Sequence, residues 1–189
     1  MARHFTKITD YDVSTVRMEI ADNPSLWNVN THRRDGENTP HAQMSDIWVR
    51  YRPLDELKER ADYKAPHFAE FYPAWSALPS LKPIVFDLMK RVEGVMLGGI
   101  LITKIPPGCG IDAHIDDGWH VETYSKFYVS LQSQPGAVFW CDHDGEREDL
   151  EPKTGECWVF DNRKLHGVIN RSDRDRTTLI VCIKTDLYR

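Results

Sequence analysis

Hydrophobic positions follow one spacing up to Gly94 and another after it. Before Gly94 the clearest signal is helical. In SLKPIVFDLMKRVEG (Ser80–Gly94), Leu81, Ile84, Val85, Leu88, Met89 and Val92 recur at steps that align them on one helix face. Ser80 is placed to cap the start of that helix and Gly94 to close its end. Earlier, SDIWVRYRP (Ser45–Pro53) alternates Ile47, Val49 and Tyr51 against Trp48, Arg50 and Arg52, which is a strand pattern. Pro53 ends it and is suited to open a short helix through LDELKERA (54–61). APHFAEFYPAW (Ala65–Trp75) has no clean period and reads as irregular chain or a short helix.

After Gly94 the pattern shortens into strands and turns. VMLGGILITKI is an apolar strand or pair of strands, and PPGCG (Pro106–Gly110) is a turn. SKFYVSLQ (Ser125–Gln132) alternates strictly, with Phe127, Val129 and Leu131 on one face and Lys126, Tyr128 and Ser130 on the other. GAVFWCD, GECWVFDN, LHGVIN and RTTLIVCIK follow as further strands. A helical first part leading into about seven or eight strands predicts a mainly β protein with supporting helices (α+β), a sandwich or open barrel backed by helices on one side. The 189 residues suit a single domain. Residues 1–94 form its helical or irregular, substrate-facing support, and residues 95–189 its core.

Composition narrows the function classes. A formal net charge of −5 gives no basic field for nucleic acid or anionic lipid. No apolar run is long enough for a membrane span, and the start does not read as a signal peptide. Cys109, Cys141, Cys157 and Cys182 show no metal or redox spacing, so they are expected as reduced thiols in a cytoplasmic protein.

Candidate chemistry begins at HIDDGWH (His114–His120). On a strand, His114 and Asp116 project to the same side. An imidazole and a carboxylate suit a divalent transition metal, and a second imidazole on the same face suits non-haem Fe(II). With 29 acidic residues and eight histidines, roughly one His-x-Asp/Glu pair is expected by chance, and the chain has a second, His120 with Glu122. The polar face of Lys126, Tyr128 and Ser130 is odd for a β core unless it lines a wet cavity; otherwise it is the solvated face of an edge strand. His166 falls in a later strand. If NRSDRDR (Asn170–Arg176) is a hairpin turn, Arg176 lies opposite about Ile169, roughly 10 Å along the strand from His166. A short dicarboxylate fits that gap, with Arg176 as its bidentate partner.

The ordered set His114-x-Asp116, His166 and Arg176 resembles the Fe(II)- and 2-oxoglutarate-dependent oxygenases. The match is closer to the aspartyl/asparaginyl β-hydroxylase-like group, which includes some free-amino-acid hydroxylases. GECWVFDNRKLHGVINRSDRDRTTLIVCI is similar to that group's run of Gly, apolar strand, Phe-Asp, His, Asn, Ser-Asp, Arg and apolar strand. The likeness extends from about Ile100 to Lys184. It implies a double-stranded β-helix, a cupin-like jelly-roll barrel with the metal at its open end. It implies His114, Asp116 and His166 as iron ligands and Arg176 on the distal carboxylate of 2-oxoglutarate. Lys126 stands where the group has a basic cosubstrate contact, and Tyr128 where it often has histidine. The cofactors implied are Fe(II), 2-oxoglutarate and O2. The activity implied is hydroxylation of an amino acid or of an Asp/Asn-type residue in a peptide, with succinate and CO2 as co-products.

Two rival readings remain at this stage: a non-catalytic metal-binding jelly-roll sensor or interaction module, and a cupin-type enzyme without 2-oxoglutarate. Neither needs a dicarboxylate clamp at Arg176. Other segments are open. DHDGERED (Asp142–Asp149) lacks the last acidic ligand of a calcium loop and reads as a solvated hairpin. LWNVNTHRRDGENTPHAQ (Leu26–Gln43) is either a lid bringing Arg33, Arg34 or His41 to substrate or an ordinary surface loop. Arg33, Arg34 or Arg50 is the candidate partner for a substrate carboxylate.

Overall fold

A computed structural model describes residues 4–36, 39–54 and 65–188. Its strands in chain order are β1 (Phe5–Asp10), β2 (Ser45–Tyr51), β3 (Glu70–Phe71), β4 (Met96–Ile105), β5 (Gly110–His114), β6 (Ser125–Gln132), β7 (Ala137–His143), β8 (Glu146–Leu150), β9 (Glu156–Phe160), β10 (Leu165–Asn170) and β11 (Arg176–Lys184). The helices are α1 (Ser14–Asp22), α2 (Ala74–Ala77), α3 (Leu81–Arg91) and α4 (Trp119–Thr123). The short helix expected over 54–61 lies almost wholly outside the described residues.

The strands form two antiparallel sheets. The larger has the order β1-β9-β6-β11-β4-β2-β3 and the smaller β5-β10-β7-β8. The alternation in β6 shows how they stack. Phe127, Val129 and Leu131 are fully buried with Leu179, Val181, Ile100 and Ile102 from neighbouring strands, in one cluster with Val16, Ile20, Leu81, Ile84, Val85 and Leu88 of α1 and α3. Those helices cover the outer face of the large sheet. Its inner face meets the small sheet, where Phe5, Ile105 and Phe160 pack with Phe139 and Val168. Lys126, Tyr128, Arg176 and Thr178 lie on this inner face, so the polar side of β6 lines the space between sheets. α1, α2 and α3 pack on the one outer side, as the sequence predicts, whereas α4 contributes no residue to the cluster there.

Local chemistry explains where the expected elements shift. α3 keeps its apolar face, but the Ser80 hydroxyl does not cap it. Glu19 of α1 does: the Ser80 amide and hydroxyl both donate to its carboxylate, the hydroxyl at 2.6 Å. At the other end Glu93, not Gly94, takes the left-handed conformation (φ 50°). The Gly94 amide then donates to the Met89 carbonyl at 2.8 Å, which closes the helix. Gly94 is needed for space, since a Cβ there would stand 2.5 Å from Ile183. Asp144 and Gly145 (φ 57° and 85°) make the tight turn of the β7–β8 hairpin, so most of the expected solvated loop is strand. β1 carried no sequence prediction; it pairs with β9 at the edge of the large sheet. Among the described residues no helix is long and apolar enough to cross a membrane.

Candidate metal and cosubstrate site

His114 ends β5 and His166 lies on β10, and the two are direct partners in the antiparallel ladder. Their rings stand 4.3 Å apart. Asp116 follows two residues beyond His114, its amide donating to the Asn162 carbonyl at 3.1 Å. One donor atom from each of His114, Asp116 and His166 lies within 4.8 Å of the others, and among the described residues no other His/Cys/Asp/Glu group does this.

Hydrogen bonds aim these donors. His114 Nδ1 is 2.7 Å from the Asp112 carbonyl and His166 Nδ1 is 2.8 Å from the Lys164 carbonyl. A carbonyl only accepts, so each Nδ1 carries the proton and each Nε2 offers its lone pair. Both Nε2 atoms face Asp116, at 3.5 Å and 3.8 Å. Burial pushes the Asp116 carboxyl up, but Lys126, His114, His166 and Asn162 outweigh it and hold the group well below the usual carboxylate range. Burial lowers His166 to about 4. The cluster is therefore two imidazoles with their Nε2 atoms turned inward and an ionised carboxylate, a donor set that suits Fe(II).

The cavity behind the cluster has a volume of about 50 Å³ and opens to solvent. A more open groove, lined by His4, Glu122, Asp161 and Tyr188 among others, holds none of the three candidate ligands; the chemistry lies in the narrower cavity. Arg176 projects into it and is only 3% exposed. Its guanidinium lies 5.5 Å from the Phe139 ring centre. Its Nε has no hydrogen-bond partner among the described residues, and neither has the Thr178 hydroxyl beside it. Burial lowers Arg176 to about 10, so it stays a cation. Burial also raises Tyr128 well above its ordinary value, so its phenol keeps its proton. A buried cation with an unused donor, next to an unused hydroxyl and within one cavity of the candidate metal ligands, fits the far carboxylate of 2-oxoglutarate.

The route from His166 to Arg176 differs from the hairpin supposed above. β10 pairs with β5 and β7, whereas β11 pairs with β4 and β6. Residues 171–175 cross from one sheet to the other. Asn170 holds that crossing by donating to the Ile105 and Arg174 carbonyls at 2.9 and 2.8 Å. His166 and Arg176 thus face one cavity from opposite sheets, and the ladder distance along a shared hairpin does not apply.

Lys126 lines the cavity, but its ammonium is ion-paired with Asp116. His120 and Glu122 do not form a rival metal pair. They sit two residues apart on α4, where such positions diverge, and Glu122 is exposed. His120 instead stacks on His67 with ring centres 5.5 Å apart and 5° between planes. Trp119 packs on His67 and Tyr124. Asp117 is exposed. From the 26–43 segment, Arg33 and His41 reach the cavity, with Arg33 paired to Asp46 at 3.1 Å. Arg34 pairs with Asp35 and does not line the cavity. Arg50 is committed to the Leu97 and Gly98 carbonyls at 2.8 and 2.7 Å. Sequence reasoning missed Asn162 and Thr178; a lone asparagine and a strand threonine carry no signal of their own.

His120 gives the fold a pH dependence. Burial, then Lys126 and His67, lowers its imidazole to about 3. An unfolded histidine protonates near about pH 6.5. Between those values the unfolded chain binds the extra proton and the folded one does not, so stability falls as pH drops through that window. By about pH 4.5 the His120 share of this loss is about 2–3 kcal/mol. Thermal or urea unfolding at pH 7 and pH 4.5 will show a smaller loss in His120→Phe; an equal loss in both proteins would mean His120 is not held neutral.

Sheets, cluster and cation together define the class of Fe(II)- and 2-oxoglutarate-dependent oxygenases. The family model for aspartyl/asparaginyl β-hydroxylase matches residues 15–185. The chain belongs to that family. Solved structures of low identity share its fold. A prolyl hydroxylase from Trichoplax adhaerens, in complex with a hypoxia inducible factor oxygen degradation domain peptide fragment, has TM-score 0.61 at 15% identity, covering 97% of this chain and 84% of its own. A 2OG-Fe(II) oxygenase family oxidoreductase from Burkholderia pseudomallei has TM-score 0.59 at 10% identity, with 97% and 95% covered. A prolyl-4-hydroxylase from Pseudomonas putida has TM-score 0.52 at 17% identity, with 96% and 93% covered. A comparison with curated protein sequences finds no match.

Proposed function

We propose that this enzyme hydroxylates an amino acid or an Asp/Asn-type residue in a peptide. His114, Asp116 and His166 hold Fe(II), and Arg176 holds the distal carboxylate of 2-oxoglutarate. The observation that carries the reading is Arg176: a buried cation with an unpartnered Nε in the cavity of the metal cluster. A metal-sensing module has no use for that cation. The bound iron, with 2-oxoglutarate and O2, supplies oxidation of a C–H bond coupled to formation of succinate and CO2.

The chain's own groups prepare the site for this chemistry. The Asp112 and Lys164 carbonyls keep the Nε2 lone pairs turned inward. Arg176 binds a carboxylate through its planar fork, and Thr178 and the protonated Tyr128 stand ready to donate to oxygen. Ile111, Phe139, Val168 and Ile180 line the cavity with apolar surface that excludes water. Arg33 and His41 make the substrate side, His41 with its ring 5.3 Å from that of His114. A peptide substrate is supported by the peptide complex of the Trichoplax relative.

We take the two facing sheets as a double-stranded β-helix, a reading supported by the solved relatives. Residues 1–189 then act as one domain, with 95–189 as the catalytic core and 1–94 as support and substrate side. A reducing compartment such as the cytoplasm belongs to the same proposal, supported by four free thiols. The test is succinate formation from 2-oxoglutarate by purified protein with Fe(II), ascorbate and O2, extended to amino acids and Asp/Asn-containing peptides. Substrate-stimulated succinate is expected. Absence of both succinate formation and 2-oxoglutarate binding by the metal-loaded protein would overturn the reading.

A further inference from the structure

Asp116 is held by more than its place after β5. Its amide donates to the Asn162 carbonyl at 3.1 Å, and the Asn162 side-chain amide donates back to Asp116 Oδ2 at 2.8 Å. Asn162 is 4% exposed, so that bond is shielded from competing water. The Lys126 ammonium bonds the same oxygen, Oδ2. Oδ1 receives neither contact and faces His114 Nε2 at 3.5 Å. The two carboxylate oxygens are thus sorted: Oδ2, 3.8 Å from His166 Nε2, takes both donors, from β6 and the 161–164 turn, and Oδ1, beside His114, takes neither.

We propose that Asn162 and Lys126 are positioning residues for the metal site, which saturate Asp116 Oδ2 and so present Oδ1 to the ion. This rests on the metal reading above. It moves Lys126 from the cosubstrate side of the cavity to the metal side. Arg176 is left as the cation that faces the cosubstrate's distal carboxylate. Chemistry supports the division. A carboxylate with one oxygen fixed by two donors is restrained from rotating, and its other oxygen is left free to meet an ion. Asn162 also ties the site to the chain: its turn leads directly into β10, which carries His166. Two of the three ligands are therefore registered through one short segment.

The experiment is titration of metal-free protein with Mn(II) by calorimetry, with the visible absorption of the Co(II)-loaded protein as a spectroscopic readout. Variants are Asn162→Ala, the isosteric Asn162→Asp, and Lys126→Met. Loss of a hydrogen bond to a metal ligand lowers affinity roughly 10–100-fold. Asn162→Ala and Lys126→Met will each weaken Mn(II) binding by about that factor and shift the Co(II) spectrum. Asn162→Asp keeps the shape, sets a like charge against Asp116, and will weaken Mn(II) binding at least as much. Wild-type Mn(II) affinity and an unchanged Co(II) spectrum in folded Asn162 variants would overturn the positioning role of Asn162. Unchanged Mn(II) affinity in Lys126→Met, with weakened 2-oxoglutarate binding, would return Lys126 to the cosubstrate. Failure of the wild type to bind Mn(II) in a His166-dependent way would overturn the metal reading itself, a separate outcome.

Discussion

Replacing His166 with alanine will reduce 2-oxoglutarate-dependent succinate formation to background and abolish tight Mn(II) binding. His166 is 4% exposed and directly opposite His114 in the ladder, with its Nδ1 tied to the Lys164 carbonyl. Its Nε2 is therefore fixed toward Asp116 whether or not a metal is present. Removing it leaves two donors two positions apart in the chain, His114 and Asp116, and opens the third corner of the cluster. Even an outer hydrogen bond to a ligand is worth roughly 10–100-fold in affinity, so loss of a ligand itself will exceed about 100-fold. His166→Gln, of similar length, serves as a packing control: it will melt near the wild-type temperature and still lose Mn(II). Wild-type turnover in a folded alanine variant would refute the assignment of the metal to this cluster.

Arg176→Met will separate stability from function, with opposite signs. In the ligand-free fold Arg176 is a buried cation whose Nε has no partner, and burial alone drags its pKa down to about 10. A buried unpaired charge is costly, and an apolar side chain of similar volume removes that cost. The variant should therefore melt higher, by about 2–4 °C for each kcal/mol gained in a chain of this size. With 2-oxoglutarate the sign reverses. Deleting one member of a buried, hydrogen-bonded charge pair costs about 2–5 kcal/mol, so binding to the Mn(II)-loaded protein should fall by roughly thirtyfold or more. Lysine should not restore it, because a point charge cannot reproduce the planar fork. Equal 2-oxoglutarate affinity in wild type and Arg176→Met would remove the clamp from the account, and a lower melting temperature would show the guanidinium already satisfied without ligand.

The strand alternation of β6 was legible from its residues, and so was its meaning: Lys126, Tyr128 and Ser130 share a face with no place in a dry core. The pattern could not say which surface that face opens to. The answer depended on a second sheet packing against it. The helix over Leu81–Arg91 was equally legible, because an apolar stripe at helical spacing has one way to be buried. Its ends were not. A serine at the start reads as a cap, yet Glu19, 61 residues earlier, takes that role. β1 was invisible because FTKITD has only two apolar positions, Phe5 and Ile8, which do not alternate, so its pairing with β9 and the packing of Phe5 in the core had no local signature.

The amino-acid sequence by itself determined the ingredients: two histidines and an aspartate able to hold a transition metal, an arginine able to hold a carboxylate, and alternating strands able to carry them. It determined these because residue chemistry and local periodicity are local properties. Tertiary structure alone decided which groups meet. The His114–His166 pairing is a ladder register between residues 52 positions apart. The approach of Arg176 runs across two sheets through a crossing that a hairpin reading mistook for a turn. Lys126 looks like a cosubstrate contact in one dimension and pairs with Asp116 in three. His120 with Glu122 looks like a ligand pair until α4 turns them apart. The physical reason is that strand and helix geometry fix where neighbouring side chains point, as α4 does for His120 and Glu122, but only the burial of two sheet faces against each other chooses which distant strands become neighbours.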